Sequence, residues 1–324
     1  MSGFRSRRTG PRFPPAPVPD DPVELSRLAV RAALGQGFVA AGVVAGFRAE
    51  GWAGYRAFLD GGLHGEMGYL ERDSEARRSL DSILPYAKAV LCVAREVPSG
   101  GRGNVARYAR GEDYHDAVRR GLKAVVASLR QAAPAGSHFR VCVDTAPVLE
   151  REWAVRAGLG FVGRNGMLIV PGAGSHVVLG EVLTDLALAP TATAVDATWE
   201  KCGGCRACLD ACPTSAFLAP RVVDARRCLS YLTIEKRSGF TPEEESWLDG
   251  RLFGCDDCQD VCPYNSAPRW SEPAREPEAS LDPVEIASLD DPAFQERFAR
   301  SAVRRATPDG LRRNARAAMA RESR

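Results

Sequence analysis

Apolar positions recur at helical spacing from Val23 to Leu34, with Asp21 as a candidate N-cap, Pro22 as first helical residue and Gly35 as the stop. The unbroken apolar run Ala89–Val93 predicts a buried strand. Tyr114–Ala132 carries apolar residues on one face of a helical period and predicts an amphipathic helix. Phe139–Val143 predicts a strand that ends at Asp144, Leu149–Ala157 a helix, and Met167–Val170 and Val177–Leu183 two more strands. This interleaving predicts an α+β fold with one layered, mixed α/β domain over residues 21–195. The pattern changes after Leu188. Residues 190–197 read as a linker and 196–268 as a cysteine- and turn-rich unit. Residues 269–324 read as an acidic, proline-bearing loop to 292 followed by a short basic helical tail. Residues 1–20, with four Arg and five Pro, read as a disordered basic leader.

A chain of 324 residues suggests two domains, at roughly 150 residues each. The net charge of +2 excludes a uniformly basic nucleic-acid coat. Any binding of nucleic acid must rest on local patches: residues 5–12, Arg102 to Arg110, and the tail from Ser301, where seven Arg face two acids. No apolar run approaches the ~18 residues of a membrane span. Arg7-Arg8 is followed by Thr-Gly-Pro and not by an apolar segment, so it does not read as an export signal. The expected address is cytoplasmic, and the expected state is a monomer.

Ten cysteines are many for a reducing compartment, and eight of them lie between Cys202 and Cys262. The first motif is Cys202-x2-Cys205-x2-Cys208-x3-Cys212-Pro213. The second is Cys228 followed by Cys255-x2-Cys258-x3-Cys262-Pro263. This is the run that holds [4Fe–4S] cubanes in two-cluster ferredoxins, where the fourth cysteine ligates the other cluster. The exchange yields two complete sets: Cys202, Cys205, Cys208 and Cys262 for one cluster, and Cys212, Cys228, Cys255 and Cys258 for the other. Four-cysteine zinc is the competing reading, but the x3-Cys-Pro endings and the reciprocal count are not zinc-ribbon features. Two adjacent one-electron centres imply an external electron donor and a site that consumes electrons. Cys92 and Cys142, in apolar runs, read as core packing.

Other signals are weaker. Gly158-x-Gly160-x-x-Gly163 has the dinucleotide spacing, but a helix precedes it and a strand follows. That context is reversed and excludes the dinucleotide reading, leaving glycines suited to close approach of a flat ligand. His115, in Asp113-Tyr-His115, half-matches a cobalt-ligating D-x-H-x-x-G pattern but lacks its glycine, and reads as a solvated helix-face histidine. Asp144 ends an apolar strand, where catalytic groups commonly sit, and is equally a candidate helix N-cap.

Together these segments resemble epoxyqueuosine reductase, the cobalamin and iron–sulfur family that completes queuosine in tRNA. The resemblance spans about residues 22–318. It rests on Gly111–His115, Val143–Arg151, Ala157–Phe161 with Asn165, Arg227–Thr233 and the two cysteine runs. It implies a cobalamin-binding N-terminal domain similar to that of reductive dehalogenases, then a ferredoxin-like two-cluster domain. It implies Asp144 as proton donor. Arg77, Arg107, Leu168, Leu179 and Ser230 would line cobalamin or substrate, and Lys236 would lie near the tRNA. Many members continue into further helical repeats, of which this chain carries only the start. A small-molecule reductive dehalogenase and a plain ferredoxin-type carrier are the alternatives. The first usually carries an export signal; the second has no use for some 200 residues ahead of its clusters.

Overall fold

A computed structural model describes residues 21–97, 101–192, 199–266 and 279–322. Helix α1 (Pro22–Gly35) begins as its cap predicts: Asp21 accepts from the Val23 N–H at 2.9 Å, and Leu25, Ala29 and Ala33 bury one stripe. Strand β1 (Ala40–Ala45), α2 (Trp52–Asp60) and α3 (Tyr69–Arg72) lead into β2 (Ala89–Glu96). Next come α4 (Tyr114–Ala132), β3 (Phe139–Cys142), α5 (Glu150–Arg156), the short pair β4 (Phe161–Val162) and β5 (Leu168–Ile169), and β6 (Val177–Thr184).

Four strands form an antiparallel sheet in the order β1-β2-β6-β3. One face is covered by α1 and α4, which bury Leu25, Ala29, Val118, Leu122 and Val125 against Val43, Leu91 and Val182. The other face packs against α5 and the β4–β5 hairpin, through Trp153, Ala154, Leu168 and Leu183. Helix α4 lies hard against β6, since a Cβ at Gly180 would sit 2.6 Å from the Val118 side chain.

The cysteine-rich segment follows: α6 (Ala207–Asp210), β7 (Phe217–Ala219), β8 (Val222–Val223), α7 (Leu229–Ile234), α8 (Pro242–Trp247) and α9 (Asp257–Asp260). Its elements are short because the backbone turns repeatedly around the cysteine motifs, and α7 buries Leu229, Tyr231, Leu232 and Ile234. Helices α10 (Pro283–Ser288), α11 (Asp291–Phe298) and α12 (Thr307–Glu322) close the chain. They share a core with Val105, Ala109, Ile234, Leu252 and Phe253. Helix α12 is stitched down by Asn314, fully buried, whose Nδ2 donates to the carbonyls of Thr233 and Leu252 at 2.7 and 2.8 Å.

Three expectations need correction. The segment read as loop to residue 292 contains α10 and the start of α11, each capped by an aspartate with proline in its first turn. The glycines at 158, 160 and 163 serve close packing within the chain. Gly158, at φ 81°, ends α5, and a Cβ on Gly160 would strike the Ile169 carbonyl oxygen at 2.0 Å. Strand β1 and helix α2 went unpredicted. The leader and most of the 190–197 linker lie outside the described residues.

Candidate functional site: an acid line and two thiol sets

Asp144 follows β3 in the left-handed region, at φ 52°, a conformation that aspartate tolerates better than most residues. It does not cap α5, whose N-terminus is at Leu149 without any side-chain cap bond, so the capping alternative fails. Its backbone N–H donates to Glu150 Oε1 at 2.7 Å. Its carboxylate meets His115, with Oδ2 3.2 Å from Nε2, and the other imidazole nitrogen, Nδ1, lies 2.7 Å from Asp113 Oδ1. Asp113 caps α4 and is buried, so the line Asp113–His115–Asp144 is anchored at its inner end. Tyr114 stacks on the His115 ring at 4.0 Å between centroids.

The solvated-histidine reading of His115 is therefore wrong: its side chain is 23% exposed and bonded at both nitrogens. Burial works against its charge, but the hydrogen bonds and charges of Asp144 and Asp113 outweigh it and raise His115 above its ordinary value. For Asp144, burial would raise the carboxyl. The bonds from His115 and Tyr114 and the charges of His115 and Arg305 win, and hold it below the usual carboxylate range. These opposite shifts favour an ionised Asp144 beside a protonated His115, which donates at both nitrogens only in that form. The signal in the sequence was Asp113 two residues before His115, a helix cap that also reaches the imidazole.

The other expected residues fall in three places. Leu168 on β5 is buried, and Leu179 on β6 half-buried, in the apolar layer beneath Asp144. The Arg77 guanidinium lies 5.5 Å over the Tyr55 ring, with Nη1 3.4 Å from the Val148 carbonyl. Its Nε and the Ser79 hydroxyl are buried without hydrogen-bond partners among the described residues. Arg107 binds Asp260 of α9 through Nε and Nη2 at 3.1 and 2.8 Å, so it joins the sheet domain to the cysteine segment. Ser230 starts α7 beside the Cys228 thiol, 3.5 Å from the Cys255 carbonyl. Lys236 is 14% exposed and held by Glu244 at 3.3 Å and Glu66 at 3.8 Å.

The two cysteine motifs fold alike. Each puts a four-residue helix, α6 or α9, after a residue of nearly the same backbone angles, Arg206 and Asp256. Burial raises the Cys208 thiol, and the neighbours that add to this are Cys262, Cys202 and Cys205. Around Cys258, also raised by burial, stand Cys228, Cys255, Cys208 and Cys212. Thiols of both motifs surround Cys208 and Cys258, and Cys208 itself stands near Cys258, so the two motifs lie side by side. In the first set Cys205 is exposed and Cys208 buried; the four thiols of the second are half-buried, and burial pushes Cys255 up to about 12. No three potential ligands among the described residues draw together tightly enough for a single ion.

Among the described residues, several arginines of the expected basic patches are spent on the fold, while residues 5–12 lie outside the described residues. Arg110 is 4% exposed and donates to the Val105 and Gly101 carbonyls. Arg312 pairs with Asp291 and Asp309, and Arg305 with Glu235. Arg313 donates to the carbonyls of Leu232, Lys236 and Ser238 and lies 3.9 Å over the Phe240 ring. Arg304 and Arg316 remain exposed, as does Arg102. No helix among the described residues is long and apolar enough to cross a membrane.

Comparison with known proteins matches two families. Residues 77–145 match one described as epoxyqueuosine reductase QueG, DUF1730, and residues 201–265 match a 4Fe-4S double cluster binding domain. An epoxyqueuosine reductase of Gloeobacter violaceus is 39% identical over 300 residues, 87% of this chain and 92% of its own length. A crystal structure of epoxyqueuosine reductase with an epoxyqueuosine-modified tRNA-Tyr stem loop superposes with a TM-score of 0.81 at 29% identity, covering 92% of this chain and 81% of that one. A Bacillus subtilis epoxyqueuosine reductase with its catalytic loop swung out of the active site superposes at 0.80 and 28% identity, with the same coverage.

Proposed function

Because the chain belongs to the epoxyqueuosine reductase family, it is an oxidoreductase that reduces epoxyqueuosine to queuosine in tRNA, and we propose that Asp144 is its proton donor. The observation that carries this is the buried anchor behind Asp144. Asp113 lies against His115 Nδ1 and Asp144 against its Nε2, so the carboxyl at the end of β3 stands beside an imidazole that can supply it with a proton. Reduction of an epoxide to an alkene takes two electrons and two protons and releases water. A proton must reach the oxygen as the carbon–oxygen bond opens, and a held acid typically contributes 10²–10⁴-fold to such a step.

The chain carries two [4Fe–4S] clusters. We assign Cys202, Cys205, Cys208 and Cys262 to one and Cys212, Cys228, Cys255 and Cys258 to the other. The exposed Cys205 makes the first set the natural docking side for an external one-electron donor. The second set, backed by Ser230 and by the Asn165 amide on the Cys258 carbonyl, faces the sheet domain. Cobalamin supplies, when bound, a low-valent cobalt centre able to deliver electrons to the opening carbon–oxygen bond. The chain fits such a group: Leu179 offers apolar surface, while Arg77 Nε and Ser79 Oγ are buried polar atoms in want of a partner, as the amide rim of a corrin would provide. Leu168 backs that layer, and Arg107 fixes the cluster segment against it.

The tRNA contact draws on Lys236 and the exposed Arg102, Arg304 and Arg316. Lys236 is mostly covered by Glu244 and Glu66, so a phosphate reaches it by displacing those glutamates. The protein acts as a monomer in the cytoplasm, where its substrate lies. Anaerobic purification with cobalt and iron analysis, followed by turnover on an epoxyqueuosine-bearing stem-loop, tests the reading. Bound corrin and turnover support it. Iron without corrin and without turnover would return the chain to a plain electron carrier.

A further inference from the structure

Two further carboxyls, Glu150 and Glu181, act electrostatically on each other and feel the charge of Asp144. Glu181 sits mid-strand in β6, opposite Cys92 on β2 and Cys142 on β3, fully buried in an otherwise apolar run. Both its oxygens lack a hydrogen-bond partner among the described residues. So does Trp153 Nε1, one helical turn along α5 from Glu150 and also fully buried. Glu150, the first residue of α5, reaches back to the Asp144 N–H at 2.7 Å. Asp144 is half-exposed and Glu181 fully buried, and Glu150, bonded to the Asp144 backbone, feels the charge of Asp144 and acts on Glu181.

We propose that Glu150 holds the second proton of the reaction and passes it to Asp144, with Glu181 as the neutral floor of the relay. The proposal rests on Asp144 being the acid. The balance asks for it: both epoxide carbon–oxygen bonds break, a carbon–carbon double bond forms, and the oxygen leaves as water. Two electrons enter through the clusters and two protons must be given. The Asp144–His115 pair holds one. With tRNA over the half-exposed carboxyl, the other is most directly met from the protein side.

The surroundings favour a stored proton at Glu150. Burial, then the charge of Asp144, raise it to about 7, against weaker opposition from the Asp144 N–H bond and from Arg151 and Arg77. Glu181 is raised further, by burial first and then by Glu150 and Asp144, and stays neutral. The flanking Cys92 and Cys142 are raised by burial and stay thiols, with Arg156 and Arg140 acting weakly against it. A carboxyl raised above its ordinary range keeps its proton below that raised value and loses it as pH rises through about 7. The supply therefore fails on the alkaline side.

The test is Glu150→Gln in the holoenzyme acting on the epoxyqueuosine stem-loop. Glutamine keeps an oxygen to accept the Asp144 N–H but has no acid proton. Turnover at neutral pH should fall about 10²-fold, the low end for acid catalysis, with KM unchanged. The limb of the rate profile near pH 7 should vanish. If Glu150 only braces the loop, rate and profile remain those of wild type, and the proposal is overturned. Infrared titration gives a readout that does not depend on this variant. The wild-type protein should show one protonated-carboxyl band that disappears near pH 7. Its midpoint should drop in Asp144→Asn, which removes the charge that holds it up. An absent band or an unmoved midpoint would also overturn the proposal. The two readings separate cleanly: Asp144→Asn with normal turnover defeats Asp144 as the acid, whereas Asp144→Asn inactive and Glu150→Gln active defeats only the relay.

Discussion

The thiol segment and the acid line are built in opposite ways. In the thiol segment, spacing within a few residues places the side chains, and two four-residue helices repeat one backbone design. Only the exchange of Cys212 and Cys262 between sets needs the two motifs to meet. The acid line draws each member from a different element: Asp113 from the cap of α4, Asp144 from the end of β3, Glu150 from the start of α5 and Glu181 from the middle of β6. A thiol substitution should therefore act on one cluster and little else. A substitution in the acid line should move the protonation of its neighbours while leaving the clusters whole.

Cys262→Ala puts the first half of that contrast under the heaviest strain. Turnover should be lost, and iron should fall from about eight to about four per chain, the content of one cubane. The surviving cluster should be the one on Cys212, Cys228, Cys255 and Cys258. Spectroscopy showing loss of that cluster instead would reverse the assignment.

Removing His115 strains the second half. In His115→Ala the ion pair that depresses Asp144 is gone, and burial pushes the carboxyl back up. At neutral pH the proton once held by the imidazole is missing, so turnover should fall about 10–10²-fold, within the range of acid catalysis. The loss should lessen as pH is lowered, because Asp144 then carries its own proton. Both clusters should be retained. A loss of equal size at every pH would make His115 a packing residue.

Away from both regions, Asn314→Ala should cost stability and not chemistry. It strands the Thr233 and Leu252 carbonyls in a buried place, at about 1–3 kcal/mol. Chemical denaturation should register that drop while kcat stays put. The smallest effect belongs to Lys236→Met. Already paired with Glu66 and Glu244, it should lower the salt slope of tRNA binding by no more than about one phosphate contact. A larger change would make Lys236 a principal anchor.

The same contrast explains what the sequence could disclose. Helices α1 and α4 were readable because their aspartate caps and apolar stripes are local facts. The eight thiols were readable because their spacing is the chemistry. Strand β1, Ala-Ala-Gly-Val-Val-Ala, carries little preference of its own and is made a strand by pairing with β2. His115 reads as an ordinary helix-face residue until β3 brings Asp144 against it. The tail arginines read as a nucleic-acid surface, yet Arg305, Arg312 and Arg313 are consumed by carbonyls and carboxylates of neighbouring elements. Glu181 leaves one trace, a lone acid in the apolar run Val177–Leu183, whose meaning depends on strands far away in the chain.

Turnover of Asp144→Asn on an epoxyqueuosine-bearing stem-loop, measured at matched cluster and cobalamin content, tests the acid assignment most directly. Asparagine keeps the size and can still bond His115, but it cannot take up the imidazole's proton and pass it on. Turnover should fall about 10²–10⁴-fold while tRNA affinity stays at the wild-type value. A variant that turns over at the wild-type rate would contradict the assignment and remove Asp144 from the chemistry.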